Sequence, residues 1–144
     1  MRARGMARLA GFAGLTLAYG TRLLVRPPEP LRQARITNEW GRAVSRTLGL
    51  QIEIRGEVPR YPAVLVANHR SYADIAALAS CTPVTFVGKS EVVEWPVIGT
   101  AAVRAGTLFV RRGDTQSGAA VLRRMRTLVG AGVSIVVFPE GTTV

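Results

Sequence analysis

The sequence has 144 residues, 48% of them hydrophobic, which suits one folded domain and excludes a disordered chain. One cysteine, Cys81, and one histidine, His69, exclude an internal disulfide and predict that the protein builds no metal site. The net charge of +10 lies mainly in residues 1–50 and suits an anionic partner: lipid headgroups, a phosphorylated small molecule or nucleic acid.

The first predicted element is an apolar helix. Residues 9–21 are uncharged, and Arg8 and Arg22 flank them, but the run is shorter than the ~20 residues of a membrane span. Two interpretations are open: a helix lying in the membrane interface, or a secretory signal that ends at the small-residue stretch "AYG". The apolar residues "LLV" that follow favour the membrane anchor.

Prolines within residues 26–30 end this helix, and a second, basic amphipathic helix follows. Its apolar residues recur at every fourth position: Ile36, Trp40, Val44 and Leu48. We therefore predict that residues 1–50 form a membrane-associating helical segment and that residues 51–144 form a separate domain.

Short apolar runs alternate with helical segments in the second part. Strands are predicted at residues 52–54, 63–67, 84–87, 107–110 and 134–138, and helices at residues 72–80 and 115–129. This alternation is typical of an α/β fold with a mostly parallel sheet flanked by helices. Such sheets bind ligands beyond the carboxyl ends of their strands.

The stretch "NHRSYAD" follows the predicted strand at residues 63–67 and contains His69 and Asp74. In one interpretation Asp74 orients the imidazole while His69 removes a proton from a bound hydroxyl. In the other, Ser71 and Asp74 form a capping box at the start of a helix. The spacing fits both interpretations equally well.

The stretch "GTLFVRR" runs from Gly106 through a short strand to Arg111 and Arg112. Paired arginines at a strand end bind phosphate through charge and bidentate hydrogen bonds. The alternative is that the arginines are merely solvated, with Asp114 pairing with one of them.

The stretch "FPEGT" comprises Phe138 to Thr142 and ends the last strand. Glu140, Gly141 and Thr142 would suit a hydroxylated or polar headgroup, and the alternative is an ordinary turn with Thr142 as a helix N-cap.

Together these three motifs resemble the lysophosphatidic acid acyltransferase family, whose signature is a histidine and an aspartate separated by four residues. The segment between the motifs is also similar, with Lys89 and a Trp-Pro-x-x-Gly pattern at Trp95, Pro96 and Gly99. The resemblance extends over residues 64–143.

The resemblance implies transfer of a fatty acyl group from acyl-CoA or acyl carrier protein to the free hydroxyl of a lysolipid. His69 would be the general base and Asp74 its orienting partner. Substrate-binding residues by the same resemblance are Lys89, Gly106, Arg111, Arg112, Glu140, Gly141 and Thr142. It implies no bound cofactor and no metal, and it places the enzyme on membrane lipids at the cytoplasmic face of the cell membrane.

The acceptor stays open at this point. The family resemblance makes 1-acylglycerol 3-phosphate the first expectation, giving phosphatidic acid. Thr143, however, stands where members that form phosphatidic acid often have arginine, which leaves a lysophospholipid or lyso-ornithine lipid as alternatives. Family members also continue with more sheet and a fourth motif, so we expect the sequence to be a truncated piece.

The alternative class is a basic non-enzymatic protein that binds a membrane or nucleic acid. Nucleic-acid binding would combine basic residues with stacking aromatics on one face. Aromatic residues make up only 6% of the chain, and the basic residues accompany an apolar helix, so we expect no nucleic-acid partner.

Overall fold

The computed structural model describes residues 2–25 and 28–139. It contains five α-helices, a short 3-10 helix and four strands. In chain order these are α1 (Arg2–Arg22), α2 (Pro30–Leu48), β1 (Val64–Val66), α3 (Ala73–Cys81), β2 (Val84–Lys89), the 3-10 helix (Ser90–Glu94), α4 (Ile98–Arg104), β3 (Leu108–Val110), α5 (Thr115–Gly130) and β4 (Ser134–Val137).

The four strands form one parallel sheet in the order β1-β4-β2-β3. Val66 lies opposite Val137 in the β1–β4 pair, and Lys89 lies opposite Val110 in the β2–β3 pair. Because all pairs are parallel, every strand ends at the same edge of the sheet. The predicted α/β fold with a parallel sheet is confirmed.

Apolar side chains along the strands alternate between two core layers, as period-two patterning requires. Ile135 packs with Leu128 of α5 on one face, whereas Val136 packs with Ala79 of α3 on the other. The sheet is therefore covered by α5 on one side and α3 on the other, and both helices begin just after loops at its carboxyl edge.

The predicted strand at residues 52–54 is wrong. Among the residues that the structure describes, none pairs with residues 52–54 as a strand, and Ile52 and Ile54 are 40% and 55% exposed. Arg55 instead donates to the carboxylate of Glu53, a local contact that needs no neighbouring strand. Alternating hydrophobicity predicts a strand only where another strand is available to pair with it.

Helix α2 packs across the amino-terminal edge of the sheet. The Gln33 side chain donates to the Arg104 carbonyl at the end of α4, and Asn38 donates to the Ala79 carbonyl near the end of α3. Glu29 caps the start of α2 through two backbone N–H groups. Helix α2 thus supports the amino-terminal edge of the sheet, opposite the carboxyl edge where the strands end.

Helix α1 packs on α2 through an aromatic contact. The rings of Phe12 and Trp40 meet edge to face at 6.2 Å, and the Trp40 indole N–H donates to Thr16 Oγ1 at 3.1 Å. Across the described ranges, the helices are too short or too polar for any of them to cross a bilayer. The membrane association predicted for residues 1–50 stays a prediction, as does the boundary at residue 50.

Candidate active site

The carboxyl edge of the sheet brings the sequence motifs together. His69 follows β1, Phe138 follows β4, Lys89 ends β2 and Arg111 follows β3. This edge is where parallel α/β sheets place ligands. Topology alone therefore collects residues from three separate motifs along one edge.

His69 and Asp74 face each other. His69 Nδ1 lies 3.4 Å from Asp74 Oδ2, and the imidazole side chain is only 13% exposed. This separation is an ion-pair distance, longer than a well-formed hydrogen bond. Nδ1 is buried without another hydrogen-bond partner in the described chain, so Asp74 is the group that can orient it.

Asp74 is fixed by backbone donors at the start of α3. Its Oδ2 accepts from the N–H groups of Arg70 and Ser71, both at 2.8 Å, while Ser71 Oγ accepts from the Ala73 N–H at 3.2 Å. Asp74 and Ser71 thus make a capping-box-like turn, and the same carboxylate oxygen also faces His69. The two interpretations of the spacing are compatible, because one carboxylate satisfies both.

These donors keep Asp74 ionised. Burial raises the pKa of Asp74, but the N–H groups of Ser71 and Arg70, together with the charge of His69, outweigh it and leave the pKa below its usual 3.8. A carboxylate that is charged at neutral pH and faces Nδ1 favours the tautomer with its proton on Nδ1. The remaining nitrogen, Nε2, is then the acceptor available for a substrate proton.

Phe138 makes a contact with His69 that the sequence reasoning missed. Its ring stacks on the imidazole at 4.3 Å between centroids, with 28° between the planes. Tyr72 meets the imidazole edge to face at 6.2 Å. Only the presence of aromatic residues in the first and third motifs hinted at this packing, and residue spacing could not reveal it.

Cationic residues lie on the other half of the same edge. Arg111 reaches Asp114 at 3.8 Å, so the predicted alternative of an arginine paired with Asp114 is realised for Arg111. The pKa of Glu91 is lowered first by its own backbone N–H, and Lys89 and Arg112 lower it further. Lys89 and Arg112 thus both lie near the Glu91 carboxylate at this part of the edge.

The two halves of the edge are separated by the intervening strands. Because β4 and β2 lie between β1 and β3, the ends of β1 and β3 are about 14 Å apart at the usual strand spacing. A substrate contacting both His69 and Arg112 must therefore extend along the edge, or the long cationic side chain must reach towards the histidine.

One part of the predicted site lies elsewhere, and another part is outside the described residues. Gly106 stands at the amino end of β3, where its φ of +82° favours glycine and its carbonyl accepts from Thr85 Oγ1. The structure therefore does not bring Gly106 to the edge that carries His69. Glu140, Gly141 and Thr142 lie outside the described residues, as does Thr143. In the described part of the chain, no three His, Cys, Asp or Glu side chains are grouped to hold a metal ion.

Comparison with known proteins assigns the chain to a family. The profile of the Acyltransferase family matches residues 50–144. Over 143 residues, the chain is 41% identical to the lyso-ornithine lipid O-acyltransferase of Pseudomonas aeruginosa, covering 95% of this chain and 55% of that protein. The lyso-ornithine lipid O-acyltransferase of Rhodobacter capsulatus is 36% identical over 143 residues, with 96% of this chain and 51% of that protein covered.

A relative with another printed activity is also similar. The 1-acyl-sn-glycerol-3-phosphate acyltransferase of Neisseria meningitidis is 31% identical over 116 residues, covering 79% of this chain and 46% of that protein. No solved structure matches. The chain spans about half the length of these relatives. Since the family match includes both the sheet and the His69–Asp74 pair, the chain belongs to the Acyltransferase family, as its motifs predict.

Proposed function

We propose that this chain carries the catalytic base of an O-acyltransferase that moves a fatty acyl group from a thioester to the free hydroxyl of a lysolipid. The observation that carries the proposal is the His69–Asp74 pair, 3.4 Å apart at the carboxyl edge of the sheet. A hydroxyl is a weak nucleophile, and a positioned histidine is the usual general base that activates it.

The reaction follows from this arrangement. His69 Nε2 takes the hydroxyl proton of the acceptor while the oxygen attacks the thioester carbonyl. Asp74, which faces Nδ1, stabilises the imidazolium that forms. The carbon–sulfur bond then breaks, the thiolate leaves, and the imidazolium returns the proton to it. The products are an ester and a free thiol, and the base ends as it began.

For the acceptor, we propose lyso-ornithine lipid first. The sequence alone put 1-acylglycerol 3-phosphate first, but the relatives that cover 95% and 96% of this chain are named for lyso-ornithine lipid. Thr143, at a position often occupied by arginine in enzymes that form phosphatidic acid, agrees with this order. The second candidate is 1-acylglycerol 3-phosphate, favoured by the relative from Neisseria meningitidis and by Lys89 and Arg112.

We also propose that α1 lies on a membrane, with the site on the cytoplasmic side. Three apolar residues at helical spacing on α1, Met6, Leu9 and Leu17, are 63–70% exposed, although α1 also packs against α2. An exposed apolar stripe flanked by arginines suits a helix embedded in the interface between headgroups and acyl chains. Such a position would bring the site to a lipid acceptor.

The test measures thiol release and product mass with lipid-reconstituted protein. Palmitoyl-CoA and palmitoyl carrier protein are offered as donors, each with lyso-ornithine lipid, 1-acylglycerol 3-phosphate and a lysophospholipid. His69→Ala should abolish release and leave vesicle binding intact. Release that persists in His69→Ala, or release that does not depend on any acceptor, would contradict the proposal.

A further inference from the structure

Five rings form a continuous row through the candidate site. Starting in the core, Phe86 stacks with Phe138 at 6.2 Å, and Phe138 stacks with His69 at 4.3 Å. His69 then meets Tyr72 at 6.2 Å, and Tyr72 meets Trp95 at 5.6 Å. We call these residues the aromatic row. Its inner end is buried, with Phe86 7% exposed, and its outer end is open, with Trp95 37% and Tyr72 61% exposed.

A tight turn holds the outer end of the row. The Ile98 N–H donates to the Pro96 carbonyl at 2.6 Å, and Val97 between them has φ 63° and ψ −56°. This is a γ-turn with positive φ, a strained conformation for a β-branched residue. A methyl group on Gly99 would overlap backbone carbonyls of the 3-10 helix. The turn and the 3-10 helix therefore pack too closely to admit a side chain at this position.

The same turn extends the apolar surface. Val97 and Ile98 are 50% and 38% exposed, and Pro96 alone separates them from Trp95 in the chain. Strain that persists at an exposed apolar turn beside a candidate catalytic group is a reason to look for a ligand. Tyr72 and Trp95 therefore form the inner part of an exposed apolar surface that begins at the imidazole.

We infer that Tyr72 and Trp95 bind the acyl chain of the thioester donor next to the carbonyl presented to His69. This inference rests on the proposed function. The carbonyl must lie at the imidazole, and its chain must leave along an apolar path, since each methylene kept from water contributes about 0.8 kcal/mol. Phe138 closes one face of the imidazole, whereas Tyr72 and Trp95 lead outwards from it.

The kinetic test compares donors of different chain length. Trp95→Ala and Tyr72→Ala should each raise KM for a palmitoyl donor about ten-fold, the equivalent of roughly 1.4 kcal/mol. In Trp95→Ala, KM for a butyryl donor should change less than about two-fold, because a four-carbon chain that starts at the imidazole meets Tyr72 before Trp95. Trp95→Phe should restore most of the lost affinity.

Tyr61→Ala is the matched control. Tyr61 is also an exposed aromatic residue, 72% accessible, but it precedes β1 at the opposite edge of the sheet. This variant should leave both donors unaffected. In Trp95→Ala, equal losses for palmitoyl and butyryl donors, or no loss for either donor, would overturn the inference.

A binding test separates this inference from the proposed reaction. Trp40→Phe leaves Trp95 as the only tryptophan. A dibrominated stearoyl thioether of CoA or of carrier protein, which cannot transfer its chain, should quench the Trp95 fluorescence. In Trp95→Phe, where only Trp40 remains, quenching should be absent.

Each result has a distinct meaning. Quenching of Trp95 by the thioether without thiol release in the transfer assay would contradict the proposed reaction and leave the chain-binding role supported. Quenching by brominated vesicles but not by the thioether would assign the pair to the bilayer and overturn the inference. Circular dichroism checks that the variants retain the fold.

Discussion

Replacing Asp74 by asparagine tests whether the carboxylate serves catalysis, folding or both. The amide oxygen of asparagine can still accept from the N–H groups of Arg70 and Ser71, which lie 2.8 Å from Oδ2 in the wild type. The loss of charge at a helix start then costs about 1 kcal/mol of unfolding free energy or less. The effect on His69 is larger, because the same oxygen faces Nδ1 and a neutral amide lacks the charge that stabilises the imidazolium.

Proton transfer to His69 in Asp74→Asn then lacks the neighbouring negative charge that stabilises the imidazolium. We expect thiol release by Asp74→Asn to fall about 10²- to 10⁴-fold, the range found for general base catalysis and for orienting carboxylates. The assay pairs urea unfolding with acceptor-dependent thiol release at pH 7. A rate close to that of the wild type, with a loss of stability of several kcal/mol, would refute the catalytic role and leave Asp74 as a helix cap.

Ser71→Ala is the matched control for this experiment. Ser71 Oγ accepts from the Ala73 N–H at 3.2 Å and completes the turn at the start of α3. Its removal should cost up to about 1 kcal/mol and leave the rate within about two-fold. A large loss of rate in Ser71→Ala would mean that the geometry of the turn, and not the charge of Asp74, controls activity.

The lowered pKa of Asp74 adds a pH signature to the same comparison. Since the folded-state pKa lies below the unfolded value, the charged carboxylate stabilises the fold above the unfolded pKa. That stabilisation is lost as the pH falls through the folded pKa, below the usual value of 3.8. The stability difference between wild type and Asp74→Asn should therefore be constant above about pH 5 and shrink in stronger acid.

Three further substitutions test the packing. Gly41→Ala should cost about 1–3 kcal/mol in urea unfolding, since its methyl group would lie 2.7 Å from Ala79 Cβ and from a backbone nitrogen of α3; a neutral result would contradict the close contact of α2 with α3. Val97→Gly should raise stability by about 1 kcal/mol by relieving the positive φ, as measured by thermal unfolding; a loss would mean that the side chain packs. Asp114→Ala should cost about 1 kcal/mol, because its Oδ1 caps two N–H groups at the start of α5, and an unchanged unfolding midpoint would exclude that cap.

The pattern of apolar and polar residues predicted most of the helices and strands, because the signal for each element lies within a few neighbouring residues. The helix expected at residues 115–129 is α5, Thr115–Gly130, with Asp114 as its cap. Four of the five predicted strands are present, and the run at residues 52–54 is not, because pairing depends on a neighbour that a local pattern does not contain. The strand order β1-β4-β2-β3 likewise depends on packing between distant segments.

Only part of the site was predicted, because sequence patterns reveal contacts between near neighbours in the chain and not between distant residues. His69 and Asp74 are five positions apart, so a helix start was enough to bring them together. The stacking of Phe138 on His69 joins residues far apart in sequence, and only the sheet order reveals it. The sequence also could not separate Gly106 from Arg111, since a short strand carries its two ends to opposite edges of the sheet.

Contacts that support the fold lie at one edge of the sheet, and the candidate catalytic residues lie at the other. Because the two are separate, stability and catalysis can be measured independently. Contacts of α2 hold the amino edge, through Gln33 and Asn38, whereas His69 stands at the carboxyl edge. Effects of substitutions at distant sites usually add. Gly41→Ala should therefore lower the unfolding free energy while KM and kcat of the folded fraction stay unchanged. A change in kcat would show that α2 also positions the carboxyl edge, which would couple the support of the fold to the catalytic base.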